Sequence, residues 1–156
     1  MILQTTNLQE IRNQIQKAKK ANSEELIIIK ASDEEFNRKV LEIKGVNILL
    51  GPEIHNTFNR KDKLKQRDSG LNEFLCKLAA KNKITIAINV PELQSLPPIQ
   101  KAKTIARIIQ NIKLCKRTKT AIMLLPEDKY PNQDIMAFIT TLKGSTEQAR
   151  KKHFTN

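Results

Sequence analysis

Four short, almost uninterrupted apolar runs recur along this chain, each separated from the next by a segment of helical periodicity. They are Leu26-Ile27-Ile28-Ile29, Val46-Asn47-Ile48-Leu49-Leu50, Ile84-Thr85-Ile86-Ala87-Ile88 and Ala121-Ile122-Met123-Leu124-Leu125. Runs this continuous and this rich in isoleucine are the pattern of strands covered on both faces, as in a parallel sheet. Met1 to Thr5 supplies a fifth, weaker strand. Helices are predicted between them over Leu8 to Lys20, Glu34 to Leu41, Ser69 to Lys81, Ile99 to Arg117 and Asn132 to Leu142, with a last short one from Thr146 to Lys152. Strands alternating with helices in this way form βαβ units, whose crossovers close right-handed. The units are too few for an eight-stranded barrel, so a half-barrel or an open parallel sheet is expected.

The ends of the helices carry their own signals. Asn7 and either Ser32 or Asp33 stand where N-caps belong, ahead of Glu10 and the Glu34-Glu35 pair. Pro97 and Pro98 end one loop and start the long helix, and Gly144 reads as a C-terminal cap after Leu142-Lys143. In Ser69 to Lys81 the apolar stripe is Leu71, Phe74, Leu75 and Leu78. In Ile99 to Arg117 it centres on Ile105, Ile109 and Ile112, with Lys103, Arg107 and Gln110 on the opposite side; Leu114 interrupts that polar side.

The 156 residues fit a single domain, residues 1–156, large enough to bury a core. No apolar run approaches the length of a membrane span, and the N-terminus has no secretory pattern, so a cytoplasmic protein without a membrane partner is expected. Cys76 and Cys115 fall inside helical patterns without metal-ligand spacing and are read as reduced and structural. Charge carries more information. Lys and Arg number 28 against 16 acids, a net charge of +12, an excess that favours polyanionic partners. Five Phe, one Tyr and no Trp leave little for stacking single-stranded bases, so contact with RNA is expected through phosphates and shape.

That charge is densest in the one long connection, residues 51–67, a polar stretch of a length that is usually functional or mobile in a compact domain. Arg60-Lys61-Asp62-Lys63-Leu64-Lys65-Gln66-Arg67 holds five cations and one acid. Asp68 or Ser69 then caps a helix with Gly70 in its first turn. A helix start offers unpaired backbone N–H groups and the positive end of its dipole to a phosphate, and Gly70 would permit close approach. A capping Asp68 would compete for the same donors, so locally a plain capped helix and a phosphate seat are both open, and the neighbouring charge favours the seat.

The run Arg67-Asp68-Ser69-Gly70-Leu71-Asn72, followed by Lys77-Leu78-Ala79-Ala80-Lys81-Asn82, resembles the signature stretch of ribonuclease P protein component 3 of the archaeal type. Three further stretches resemble that family in the same order: Asn37-Arg38 to Asn47-Ile48-Leu49, Ala106-Arg107-Ile108-Ile109-Gln110-Asn111 to Leu114-Cys115-Lys116, and Lys129-Tyr130-Pro131 to Thr141-Leu142. The resemblance implies an α/β fold of parallel βα units forming an incomplete or distorted TIM-like barrel of about five strands, shortened by about two N-terminal βα units. It also implies an RNA-binding protein subunit of ribonuclease P, assisting an RNA catalyst that removes the 5′ leader from precursor tRNA. The implied partners are ribonuclease P RNA, precursor tRNA indirectly, and a ferredoxin-like protein subunit, in a homodimer or heterotetramer. Mg²⁺ would serve the RNA catalyst, with no cofactor on this chain. Two departures stand out. Glu73 occupies a position where the family often has histidine, and Leu124-Leu125-Pro126-Glu127-Asp128 lacks that family's small hydroxyl residues and arginine.

On this reading Arg60, Lys61, Lys63, Lys65 and Arg67 contact phosphates, with Ser69 and Gly70 at the helix start, and Lys103, Arg107, Lys113 and Arg117 form a second basic strip. The alternative is a metal-dependent phosphoesterase or nuclease. Its residues would lie at the C-terminal ends of the strands: Lys30, Glu53, His55, Asn89, Glu127 and Asp128, with Glu53 and Glu127 as a possible carboxylate pair. Such metal sites gather several His and carboxylate ligands, whereas this chain has only His55 and His153 and no His-x-His pair. Ser69 and Cys76 have no histidine close in sequence to activate them. No catalytic or metal-binding residue is therefore assigned. A non-enzymatic oligomerisation scaffold is the remaining alternative, since an open sheet leaves edges that need covering.

Overall fold

The computed structural model describes residues 1–55, 60–63 and 66–150. Its strands are β1 (Ile2–Leu3), β2 (Ile28–Lys30), β3 (Ile48–Leu50), β4 (Thr85–Asn89) and β5 (Ile122–Leu125). The helices are α1 (Leu8–Ala21), α2 (Glu34–Leu41), α3 (Glu73–Lys81), α4 (Val90–Ser95), α5 (Pro98–Thr118), α6 (Asn132–Thr141) and α7 (Thr146–Arg150). The five strands stand side by side in chain order, every pair parallel. Among the described residues β1 and β5 do not pair, so the sheet is an open, incomplete barrel.

Right-handed crossovers that always step in one direction place their helices on a single face. The packing obeys this. Leu3, Ile29, Leu49, Ile86, Ile88, Ile122 and Leu124 face outward and share the main core with Ile11 and Ile15 of α1, Val40 and Leu41 of α2, Leu75 and Ala79 of α3, and Ile108 and Ile112 of α5. The alternate residues Ile28, Ile48, Leu50, Ala87, Met123 and Leu125 form a second, smaller cluster on the concave face, with no helical residue in it. The two faces are both apolar, which is why the strands read as continuous runs and not as alternation.

Capping sets most boundaries as expected. The Asn7 carboxamide accepts the N–H groups of Gln9 and Glu10, and the Asp33 carboxylate accepts that of Phe36. At the end of α6 the geometry differs from the expected glycine cap. Lys143 takes the left-handed conformation (φ 71°), its N–H bonds the Thr140 carbonyl, and the Gly144 N–H bonds that of Ile139 at 2.8 Å, a Schellman pattern. Gly144 is needed for space, because a Cβ there would lie 2.4 Å from Ile139 Cγ2. The sequence pattern does not announce the short helix α4, although Asn89 caps it, Pro91 lies in its first turn and the Glu92 carboxylate at its third position accepts a bond from the Asn89 amide. Of the predicted final helix, Thr146–Arg150 is present, and its last two residues lie outside the described residues.

Candidate nucleic-acid interface

The connection from β3 to α3 is held against α5 by a scaffold of buried polar side chains. Arg60, whose side chain is only 5% exposed, does not face solvent. Its guanidinium donates to the carbonyls of Pro52, His55 and Asp68. Arg107 is 1% exposed and forks onto Asp62, Nε to Oδ1 at 3.2 Å and Nη2 to Oδ2 at 2.9 Å. Asp62 Oδ1 also accepts the Asp68 N–H at 2.9 Å. Burial alone would raise the Asp62 carboxyl, but the Arg107 hydrogen bonds and charge outweigh it and hold the group below its usual range.

Gln110, one turn beyond Arg107, reads the backbone of the loop. Its Oε1 accepts the Arg67 N–H and its Nε2 donates to the Arg67 carbonyl, both at 2.8 Å, and to Ser69 Oγ at 3.0 Å. Asn111 donates to the Ser69 carbonyl at 3.2 Å. The buried face of α5 is accordingly Thr104, Arg107, Ile108, Asn111, Ile112 and Cys115, turned away from the expected stripe of Ile105, Ile109 and Ile112. An aliphatic pattern cannot reveal this, because the loop that docks on α5 presents polar groups and recruits polar partners.

Four expected contact residues are thus reassigned. Arg60 is consumed by internal bonds, and Arg107 is buried with Nε and Nη2 on Asp62 and its Nη1 without a hydrogen-bond partner. Ser69 is 1% exposed and exchanges its hydroxyl bonds with Leu71 and Gln110. Gly70 has φ 76°, and a Cβ on it would stand 2.2 Å from the Pro52 carbonyl oxygen; the glycine is required by this internal crossing. The helix also begins later than expected, at Glu73, with Asn72 as its cap accepting the Leu75 N–H at 2.9 Å. Asn72 in turn donates to Glu34. Phe74, expected in the buried stripe, is 58% exposed with the Arg38 guanidinium 5.9 Å from its ring centre.

The remaining loop cations behave otherwise. Lys61 and Lys63 are exposed and Arg67 half-exposed, and all three line one open pocket of about 250 Å³ together with Glu34, Gln66 and the residues from Asp68 to Asn72. The pocket therefore combines three cations, two acids and the approach to the α3 N-terminus. Lys65 lies outside the described residues. On α5, Lys103 and Lys113 are exposed. Arg117 is exposed but bonded to Glu73 Oε2 at 2.7 Å, while Lys77 takes Oε1 at 2.8 Å; those two cations, Lys77 foremost, hold the Glu73 carboxyl below its usual range.

The strand C-termini offer a different chemistry. Lys30 Nζ lies 3.0 Å from Glu92 Oε1 and Asn89 donates to Glu92 Oε2 at 2.8 Å, so Glu92, which was not singled out, occupies both. His55 Nε2 sits 3.4 Å from Ser32 Oγ, and burial, then the Arg60 charge, keep its ring below its usual value. Glu53 is fully buried, and burial pushes its carboxyl up to about 7. The Glu53 backbone N–H, the Arg60 charge and, least, Asn111 favour its charged form, yet neither carboxyl oxygen makes a hydrogen bond of full geometry. Glu127 is exposed and lines an apolar pocket that does not include Glu53, so these two carboxylates do not form one site. Among the described residues no group of three His, Cys, Asp or Glu is placed to hold a metal ion. Nor is any helix among them long and apolar enough to cross a membrane.

No family model matches the chain. Ribonuclease P protein component 3 of Methanocaldococcus jannaschii is 26% identical over 145 residues, covering 90% of this chain and 57% of that protein. The protein of the same name from Methanococcus vannielii is 28% identical over 138 residues, 84% of this chain and 55% of the relative. That of Methanococcus maripaludis strain C7 is 26% identical over 122 residues, 78% and 47%. The chain spans about half the length of the curated relatives it matches. A chain of an archaeal ribonuclease P solved by cryo-EM with mature tRNA superimposes with a TM-score of 0.72 at 24% identity, over 95% of this chain and 62% of that one; the two share a fold. The likeness to ribonuclease P protein component 3 drawn from Arg67 to Asn72 thus extends along most of the sequence.

Proposed function

We propose that this chain is a non-catalytic, RNA-binding protein subunit of ribonuclease P that assists an RNA catalyst in removing the 5′ leader from precursor tRNA. The observation that carries the reading is the gathering of Lys61, Lys63 and Arg67 around one open pocket at the approach to a helix N-terminus, on a chain of net charge +12. Lysine and arginine side chains beside a helix N-terminus suit phosphate oxygens and carry no sequence information of their own. Lys103 and Lys113 on α5 add exposed positive charge. The names of the curated relatives support the choice of RNA. In this reading ribonuclease P RNA is the direct partner, precursor tRNA an indirect one, and a ferredoxin-like protein subunit the protein neighbour; Mg²⁺ belongs to the RNA catalyst.

The test is binding of the purified chain to ribonuclease P RNA over a range of salt. Lys61→Ala, Lys63→Ala and Arg67→Ala should each weaken binding and flatten the salt slope by about one unit per lost phosphate contact. Unchanged slopes in all three would remove the pocket from the interface. Chelator-sensitive cleavage of precursor tRNA by the chain alone, in Mg²⁺ or Mn²⁺, would instead establish the nuclease alternative.

A further inference from the structure

One acid stands inside the cationic run, and it is the residue on which the loop is anchored. We infer that Asp62 and Arg107, with Gln110, are positioning residues that order the phosphate-contacting loop, acting on RNA only through Lys61, Lys63 and Arg67. This rests on the function proposed above and assigns a role to residues that, by charge alone, would be counted as a contact (Arg107) or as a repulsive group (Asp62).

The geometry supports the assignment at each step. Arg107 is shut off from solvent and spends its fork on Asp62 across 45 residues of chain. The same carboxylate takes the Asp68 N–H and lies 4.0 Å from Arg67 Nη1. Gln110 then clamps both the N–H and the carbonyl of Arg67. Flanking residues of the loop, 60–63 and 66–69, are therefore tied to α5 and to the turn after β3 by Arg60, Arg107, Gln110 and Asn111. An apolar contact would serve stability as well, since replacing a buried ion pair by packed hydrophobic groups is often neutral or favourable. What a forked, bidentate pair adds is orientation: Arg presents its donors in a rigid plane, so the carboxylate, and the backbone on either side of it, has one docked position. Lys61 and Lys63, immediately beside Asp62, inherit that position and stay exposed. A loop backbone ordered in advance does not have to be ordered at binding, which otherwise costs affinity.

The two roles predict opposite signs. As a mere acid in a cationic patch, Asp62 repels a polyanion, and Asp62→Asn, which raises the net charge of +12 by one, would tighten binding. As an anchor, its loss frees the loop, and affinity falls. With an RNA duplex of arbitrary sequence as the probe, Asp62→Asn should weaken binding about tenfold, the order expected when a short loop must be ordered on binding. The salt slope should stay unchanged, because the cations that meet phosphates are all retained. Arg107→Lys, which keeps the charge and loses the fork, should behave alike. Tighter or unaltered binding by Asp62→Asn overturns the inference, as does an Arg107→Lys loss accompanied by a flattened slope, which would make Arg107 a contact. Should Asp62→Asn lose its cooperative unfolding transition, Gln110→Ala decides: weaker binding at constant slope supports the clamp, and wild-type binding refutes it. Lys61→Ala and Lys63→Ala measured alongside separate the two levels. If these leave affinity and slope untouched, the RNA interface itself is misplaced; if they flatten the slope while Asp62→Asn does not weaken binding, only the positioning role fails.

Discussion

Glu53 offers a direct test of how completely the junction between the loop and α5 excludes water. Its carboxyl is fully buried, and burial pushes it up from 4.5 to about 7. At about 1.4 kcal/mol per pH unit, that displacement amounts to about 3 kcal/mol of pH-dependent stability. The sign follows from proton binding. Below pH 4.5 the carboxyl is neutral in both folded and unfolded chains. Between 4.5 and 7 the unfolded chain releases the proton and the folded chain keeps it, so stability falls as pH rises, and above 7 the loss is complete. Glu53→Gln removes the ionisation and offers an amide donor to Asn111 Oδ1, which has no hydrogen-bond partner. In urea denaturation the variant should be more stable than the natural chain by about 3 kcal/mol at pH 8 and by little at pH 5. His55 works in the opposite direction, since its lowered value stabilises the fold above its ordinary titration and loses that contribution as pH falls through it; both chains carry it, so it cancels. Asp62 and Glu73, held low, act only in the acid range. Parallel stability profiles for the two chains between pH 5 and 8 would refute the assignment of Glu53 as a carboxyl whose burial outweighs the nearby Arg60 charge.

Two further outcomes follow from packing. Gly70→Ala places a side chain on a left-handed residue and against the Pro52 carbonyl, and should cost roughly 2–4 kcal/mol in urea denaturation; a loss under about 1 kcal/mol would show that the crossing is not tight. Cys76 and Cys115 are free and buried, with the Cys115 thiol pushed up by its hydrogen bond to Cys76 and by burial. Iodoacetamide should label neither in the native protein and both in urea, and rapid native labelling would contradict the packing of α3 on α5.

Much of the architecture is legible in the residues because its cause is local. The isoleucine-rich runs announce buried parallel strands, and Asn7 and Asp33 announce helix starts, since a short side-chain oxygen reaching back to its own N–H groups depends on nothing distant. The site is legible only in part. Within the dense charge from Arg60 to Arg67, Lys61, Lys63 and Arg67 line one pocket, but nothing in the run separates Lys61 and Lys63, which reach solvent, from Arg60, which does not. Gly70 invites a phosphate reading for the same reason, and its true neighbour, Pro52, lies 18 positions earlier in the chain.

From order and composition alone come the parallel βα units, the count of five strands, the basic character and the likeness carried by Arg67 to Asn72. Which cations remain available was decided by tertiary structure. Arg107 sits on a helix where periodicity assigns it to water, yet the loop folds over it and supplies Asp62, and a buried guanidinium is tolerable only with such a partner. Burial and pairing are properties of residues distant in sequence brought within a few ångströms, and a one-dimensional pattern holds no record of them.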